Sequence, residues 1–293
     1  MPTFSGYYIK CQGAAETVAI ILGKAEESSF VQIITDEQSF VTNFDKSACK
    51  ITNHKFEISV DQNHAYEQGM TLNTNNDNLT VSGEVKFGPF TKLAGEQKKW
   101  RKFPGESIMG PFQKLPFMEC RHMIVSTRHH LSGQITINGK IYNFDNGTGY
   151  IKGDRGKSFP KKYFWTQAHF DNIDISASCA IIPYLGLRFK GTICVVRFND
   201  REHRLATYRG ARIKSFTNNL LIIKQRKYKL IIEVLDNKTT HPLMAPARGK
   251  MSRTIHESVR HKVRYKFTRG KQVLFDETTE RAAYEFSSLS SRA

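Results

Sequence analysis

The residues best suited to hold a small molecule lie in one short stretch, from Gly147 to Phe170. This stretch places six aromatic rings in 24 residues, together with a Gly-Asp-Arg-Gly-Lys segment that we expect to form a turn. Tyr163 and Trp165 lie beside Gln167 and His169. Aromatic rings provide area for burial and a few polar groups fix orientation, as an apolar ligand cavity requires. A sheet corner with core aromatics would show the same spacing, and this alternative stays open.

Several other kinds of site are excluded by spacing. The segment Gly153–Ser158 resembles a phosphate-binding loop, but that motif needs a glycine at the position of Ile151. The histidine pairs His129–His130 and His256 with His261 have no third ligand at useful spacing. Gly-x-Ser-x-Gly is absent as well. We therefore predict no metal and no other cofactor.

The chain is strongly basic. Its 44 lysines and arginines exceed its 27 acidic residues by 17, and the isoelectric point is about 9.7. Such an excess is typical of proteins that bind nucleic acid or an anionic membrane surface. The densest basic run, Arg248 to Lys271, contains no zinc-finger spacing and no RNA-binding aromatic signature. We interpret the charge mainly as a solvated face, with anionic lipid headgroups as the alternative partner and no nucleic acid expected.

The cysteines and the apolar runs indicate a cytoplasmic protein, soluble or peripheral to a membrane. The five cysteines are scattered without a Cys-x-x-Cys pair, which argues against a disulfide framework and fits a reducing compartment. The amino-terminal segment lacks the pattern of a signal peptide. The longest apolar runs, such as Val18–Leu22, are far shorter than the ~20 residues of a membrane-spanning helix.

Alternation with period two predicts β-strands along most of the chain. Asn138-Gly139 between alternating segments is typical of a two-residue hairpin turn, because both turn positions need positive φ. The segment Gly95–Pro111 is polar and rich in glycine and proline, and we expect a loop folding over a cavity mouth.

The second half of the chain repeats features of the first. Ile193–Tyr208 resembles the hairpin at Val31–Phe44, and the segment that begins at Gly270 resembles the one that begins at Gly139. We predict an all-β fold of two similar antiparallel domains, 1–150 and 151–293, related by internal duplication. Sheets of this length remove their edges by closing into barrels, and a barrel of about eight strands can hold one small ligand. The aromatic stretch would then lie at the joint between the domains.

The residues from Tyr150 to Gln167, YIKGDRGKSFPKKYFWTQ, resemble the central motif of the tocopherol cyclase-like family. That motif reads Tyr-x-Glu-x-Asn/Asp-Trp/Arg-Gly-x-x-Phe-Pro, followed by aromatic-x-Trp-x-Gln. Gly6–Lys10 is similar to the family's opening Gly-Trp-Tyr-Phe-Lys, and Met109–Phe112 with Phe117–His122 resembles a block of its smaller bacterial members. The resemblance implies two tandem lipocalin-like barrels and a hydrophobic substrate, which in the plant and cyanobacterial enzymes is a prenylated quinol closed into a chromanol ring.

Such a cyclisation needs an acid that protonates an alkene, a dry pocket and aromatic faces that stabilise a tertiary cation. The candidate catalytic residues near the motif are Asp154, Glu119 and His122, with Asp145 as a further acid. The spacing favours Asp154 as a turn or corner residue that bonds backbone amides between Gly153 and Gly156 over Asp154 as an acid. Where the family has glutamate, this chain has Lys152, which cannot protonate carbon.

The sequence thus supports two functions of different classes. One is an enzyme that cyclises or isomerises a prenyl lipid or prenylated quinol, and the other is a non-catalytic lipid carrier. The ligand-binding residues that we predict are Tyr150, Lys152, Arg155, Tyr163, Trp165, Gln167 and His169. A nucleic-acid-binding protein remains a third hypothesis, supported by net charge alone.

Overall fold

The chain folds almost entirely into antiparallel β-strands. A computed structural model describes residues 3–52, 54–94, 107–238 and 240–288. Most of the loop that we predicted over a cavity mouth, residues 95–106, lies outside the described residues. The strands are β1 (Phe4–Gln12), β2 (Thr17–Lys24), β3 (Ser28–Ile34), β4 (Ser39–Asp45), β5 (Cys49–Ile51), β6 (Glu57–Val60), β7 (Asn63–Tyr66), β8 (Gly69–Asn75), β9 (Thr80–Phe87), β10 (Cys120–Ile137), β11 (Lys140–Asn143), β12 (Gly147–Gly156), β13 (Lys162–Phe170), β14 (Ile173–Tyr184), β15 (Leu187–Phe198), β16 (Arg201–Ala206), β17 (Arg212–Phe216), β18 (Leu220–Gln225), β19 (Tyr228–Val234), β20 (His241–Ala247), β21 (Lys250–Arg269) and β22 (Gln272–Ser288).

In the described part of the chain, three short 3₁₀ helices lie between strands, at Lys46–Ala48, Gly110–Lys114 and Thr207–Arg209. Among the described residues, no helix has the length and apolar character that a membrane span requires. The five cysteines are free thiols, and four of them are buried.

The first sheet contains β1–β12 in the order β4-β3-β2-β1-β12-β10-β9-β8-β7-β6-β5, with β11 paired to β10. Its two edge strands, β4 and β5, are joined by the 3₁₀ helix at Lys46–Ala48. The Asn76 side chain, which follows β8, donates to the Thr42 hydroxyl of β4 at 3.3 Å. This bond and the 3₁₀ helix link the two ends of the sheet, which curls into a barrel. Its interior contains a core of the barrel's own side chains, such as Ile20, Val81 and Ile135.

The second sheet contains β13–β22 in the order β16-β15-β14-β13-β22-β21-β19-β18-β17, with β20 paired to β21. The Gln225 side chain links its two ends, since it accepts from the Ala206 N–H and donates to the Arg204 carbonyl, both at 3.0 Å. A second core, which includes Phe164 and Tyr265, fills this barrel.

The two barrels share one strand order. In each, the first four strands form a meander, and the first strand, β1 or β13, also pairs with the last one, β12 or β22. The Asn138-Gly139 turn is confirmed, with φ of 47° and 83°. The first sheet runs on to Gly156, past the boundary between residues 150 and 151 that we predicted.

The barrels pack side by side through a third core that includes Tyr8, Trp165 and Val259. Reciprocal hydrogen bonds cross the joint, since the Gln32 side chain donates to the Met244 carbonyl at 3.0 Å and accepts from the Met244 N–H at 2.8 Å. The interpretation of Gly153–Lys157 as a turn is wrong, because β12 continues through Gly156 and pairs on both sides with β1 and β10.

Candidate functional site

A cavity of about 110 Å³ lies at the joint between the two barrels, beside Trp165. Its wall is mostly apolar. The apolar lining residues are Met109, Phe112, Met118, Phe159, Pro160, Tyr163, Trp165, Ala180, Ile182, Pro183 and Ile193, and the polar ones are Glu119, Cys120, His122, Lys152, Asp154, Ser178, Thr192 and Glu285.

Strand alternation brings two sets of side chains to this joint. On β12, Lys152 and Asp154 face the second barrel, because side chains two apart lie on the same face of a strand. On β13, Tyr163 and Trp165 face the first barrel, while Phe164 between them enters the second barrel's core. The outer faces of the two central strands therefore form opposite walls of one cavity.

Three of the polar side chains form a buried hydrogen-bonded network. Lys152 Nζ donates to Asp154 Oδ2 at 3.0 Å, and His122 Nδ1 lies 2.8 Å from Asp154 Oδ1. Burial by itself would raise the pKa of Asp154, but Lys152 and His122 outweigh it and hold this pKa well below its usual range. The Lys152 ammonium also lies 4.5 Å from the centre of the Trp165 ring, a cation–π contact.

Two further carboxyl groups face the joint, and burial raises the pKa of both. Burial raises the pKa of Glu285 to about 8, and Lys152 only partly offsets this effect. Burial likewise raises the pKa of Glu257 to about 7. The Tyr163 hydroxyl donates to Glu285, and the Tyr8 hydroxyl donates to Glu257 at 2.6 Å. A neutral carboxylic acid thus lines the cavity near neutral pH.

A smaller cavity of about 50 Å³ adjoins the first one. It lies between β1 of the first barrel and β20–β21 of the second. Both cavities are lined by Lys152, Asp154, Phe159 and Glu285. The Phe159 ring stands between the rings of Phe4, at 5.5 Å, and Tyr163, at 6.1 Å. The polar groups are thus shared, and each cavity adds an apolar wall of its own.

The structure brings six of the sequence-predicted site residues to the main cavity, namely Asp154, Glu119, His122, Lys152, Tyr163 and Trp165. Burial raises the pKa of Glu119, although this side chain is partly exposed. The interpretation of Asp154 as a turn residue is wrong, since it lies within β12 and bonds Lys152 and His122.

Five other sequence candidates lie away from the cavity. Arg155 is exposed and faces a separate polar depression at the end of the first barrel. Asp145 accepts from the Gly133 N–H at 2.8 Å in an exposed turn. Tyr150 is buried against the Ser176 hydroxyl at 3.0 Å. Gln167 accepts from Lys10 Nζ at 3.0 Å, and His169 Nδ1 lies 2.9 Å from Asp174 Oδ1.

These last contacts belong to a polar cluster that lies deeper in the joint. Lys10 is fully buried there and also donates to the Arg281 carbonyl at 2.9 Å. Burial lowers the pKa of Lys10 to about 7. Among the residues that the structure describes, no group of three or more His, Cys, Asp or Glu side chains is arranged to hold a metal ion.

Sequence reasoning missed Glu285, Glu257 and the hydroxyl of Tyr8 as site groups. Glu285 is the register partner of Trp165 across β13 and β22, which are more than a hundred residues apart. The available signal was the position of Glu285, between Tyr284 and Phe286 in the last strand. Glu285 lies two residues from Ala283, so the two side chains share one face of the strand, and Ala283 is buried. Nothing local indicates that this face meets β12.

Comparison with known proteins places the chain in a family. Residues 9–287 match the tocopherol cyclase-like family. Kievitone hydratase from Nectria haematococca is 11% identical in sequence with a TM-score of 0.58, covering 98% of this chain and 90% of that one. CghA is 5% identical with a TM-score of 0.60, covering 99% and 89%.

A putative AttH from Nitrosomonas europaea is 12% identical with a TM-score of 0.54, covering 97% of this chain and 92% of that one. At such low identity these three likenesses show the shared two-barrel, lipocalin-like fold. A comparison with curated proteins finds no match. Because the family match extends over nearly the whole length, the chain belongs to the tocopherol cyclase-like family.

Proposed function

We propose that the protein binds a hydrophobic small molecule of the prenyl-lipid or prenylated-quinol type in the cavity beside Trp165, and that it catalyses an acid-assisted cyclisation or isomerisation there. The observation that carries this proposal is the position of Glu285, a buried carboxyl that lines a mostly apolar cavity and whose pKa burial raises to about 8. Apolar walls hold and fold a prenyl tail, and the few polar groups fix its head.

Glu285 takes the role of the proton donor in this mechanism. A general acid works best with a pKa near the operating pH, and Glu285, at about 8, meets that condition. Asp154, which we had considered for this role, is an ionised partner of Lys152 and has no proton to give. The glutamate that the family motif has at the position of Lys152 is thus replaced by a carboxyl from β22.

The proton balance of a cyclisation fits the groups around the cavity. The Glu285 proton adds to the alkene, the phenolic oxygen closes on the tertiary cation, and the phenolic proton passes to His122, which Asp154 orients. Proton exchange from His122 to Glu285 within the cavity then returns Glu285 to its protonated form. Because Lys152 already covers one face of Trp165, the cation is better stabilised against Phe112 or Phe159, which also line the cavity.

A non-catalytic lipid carrier is the second candidate function. The Lys152–Asp154 pair favours it, because this ion pair stands where the family motif provides an acid. A carrier needs the same apolar cavity and no proton transfer.

The test is to incubate the purified protein with prenylated quinols and to follow chromanols by mass spectrometry. Glu285→Gln should lower turnover by about 10²–10⁴-fold, the usual contribution of a general acid. Glu277→Gln, an exposed glutamate on the same strand, is the matched control. Wild-type turnover by Glu285→Gln would remove this residue from the mechanism.

A second variant separates the enzyme from the carrier. Ala180→Phe places a ring inside the cavity and should abolish both ligand retention and turnover. Extraction of the wild-type protein with organic solvent identifies any molecule that co-purifies. A retained lipid without any product would support the carrier, and neither retention nor turnover would refute both functions.

A further inference from the structure

Exposed apolar side chains flank the mouth of the cavity. At the tip of the β14–β15 hairpin, Leu185 and Leu187 are 71% and 75% exposed, and in the turn before β10 Phe117 is 79% exposed. Ile182 on the same hairpin and Met118, which follows Phe117, both line the cavity. The exposed side chains therefore stand next to its opening.

The backbone conformation at two of these residues is unfavourable. Ten non-glycine residues have a positive φ in the described part of the chain, and eight of them are Asp, Asn or Arg. The two apolar ones are Phe117, at 59°, and Leu185, at 48°. This region of φ disfavours bulky side chains and suits asparagine or glycine. Neither folding nor solvation explains apolar residues at these two turns, whereas contact with an apolar partner does.

The charge around the tip indicates what that partner is. Arg188 and Lys190 are exposed on the hairpin, and residues 181–192 contain no acidic side chain. Lys161, beside the cavity residue Pro160, is exposed as well. Apolar side chains with exposed cations on the same hairpin match the boundary of an anionic bilayer, where the apolar groups enter the acyl region and the cations bind headgroups.

We propose that the β14–β15 hairpin tip and Phe117 dock the protein on an anionic lipid bilayer. Docking places the cavity mouth at the membrane surface, so that an apolar molecule passes between bilayer and cavity without crossing water. The charge complementarity favours lipid over a protein partner. Docking does not depend on proton transfer by Glu285, so this proposal and the enzymatic one are tested separately.

Co-sedimentation with vesicles tests the docking. The wild-type protein should bind phosphatidylcholine–phosphatidylserine vesicles more tightly than phosphatidylcholine alone. Leu185→Asn combined with Leu187→Thr should weaken binding by at least about tenfold, from the loss of leucine burial. Arg188→Ser and Lys190→Ser should each weaken vesicle binding by about fivefold, because one basic residue near an anionic surface strengthens binding by about that factor.

Ile141→Thr is the matched control, because Ile141 is 57% exposed but does not line the cavity. Its vesicle binding should equal that of the wild type. A fluorescent label on Leu185→Cys should shift to the blue with vesicles, and the same label on Ile141→Cys should not. The proposal is overturned if the wild type binds no anionic vesicles, or if the double leucine variant binds them as the wild type does.

Discussion

The protonation state of Glu285 can be tested by the pH dependence of unfolding, without knowledge of the substrate. In the folded protein burial raises its pKa from 4.5 to about 8. Between these pH values the folded chain holds a proton that the unfolded chain has lost. The unfolded state then binds fewer protons, so stability is full below pH 4.5 and falls as the pH rises toward 8.

The size of the effect follows from the same shift. One pH unit within the window changes the free energy of unfolding by about 1.4 kcal/mol for one proton. Glu285 should therefore remove on the order of 3 kcal/mol of stability between about pH 5 and pH 7. Glu285→Gln carries no such proton, and its amide oxygen can still accept from the Tyr163 hydroxyl.

The assay is denaturant unfolding of the wild type and Glu285→Gln, followed by fluorescence at several pH values. The variant should gain stability relative to the wild type as the pH rises, and Glu277→Gln should follow the wild type. A constant difference between Glu285→Gln and the wild type over this range would show that Glu285 is not a buried neutral acid, and the proposed proton donor would be lost with it.

Three other predictions use the same unfolding assay. Burial lowers the pKa of Lys10 from 10.5 to about 7, so between these pH values the unfolded chain binds a proton that the folded chain has lost. The free energy of unfolding should therefore rise from pH 7 to pH 10.5, and Lys10→Met should lack this rise. An equal rise in both proteins would contradict the argument. Lys152→Met should lower the free energy of unfolding by about 3–5 kcal/mol, because it leaves Asp154 buried without its ammonium partner. A loss under about 1 kcal/mol would mean that the ion pair is solvated. Leu185→Asn should leave the free energy of unfolding unchanged or raise it, since asparagine accepts positive φ. A clear drop would show that Leu185 packs within the fold.

Much of the architecture could be predicted because it is encoded locally. Alternation with period two predicted the strands, Asn138-Gly139 predicted a hairpin turn, and the repeated hairpins predicted two similar domains. These signals need only neighbouring residues, whose spacing fixes which side chains share a face. The motif around Trp165 marked one wall of the cavity for the same reason.

Tertiary structure alone decided which groups do the chemistry. The sequence is the same whether Asp154 is a free acid or an ionised partner of Lys152. Only the fold buries these two side chains together. Glu285 reaches Trp165 through pairing of β13 with β22, strands whose register depends on closure of the whole second barrel. A pKa depends on the charges and solvent within a few ångströms, and those neighbours come from distant parts of the chain. The sequence therefore determined the barrels and one wall of the cavity, while the assembled joint determined which carboxyl keeps its proton.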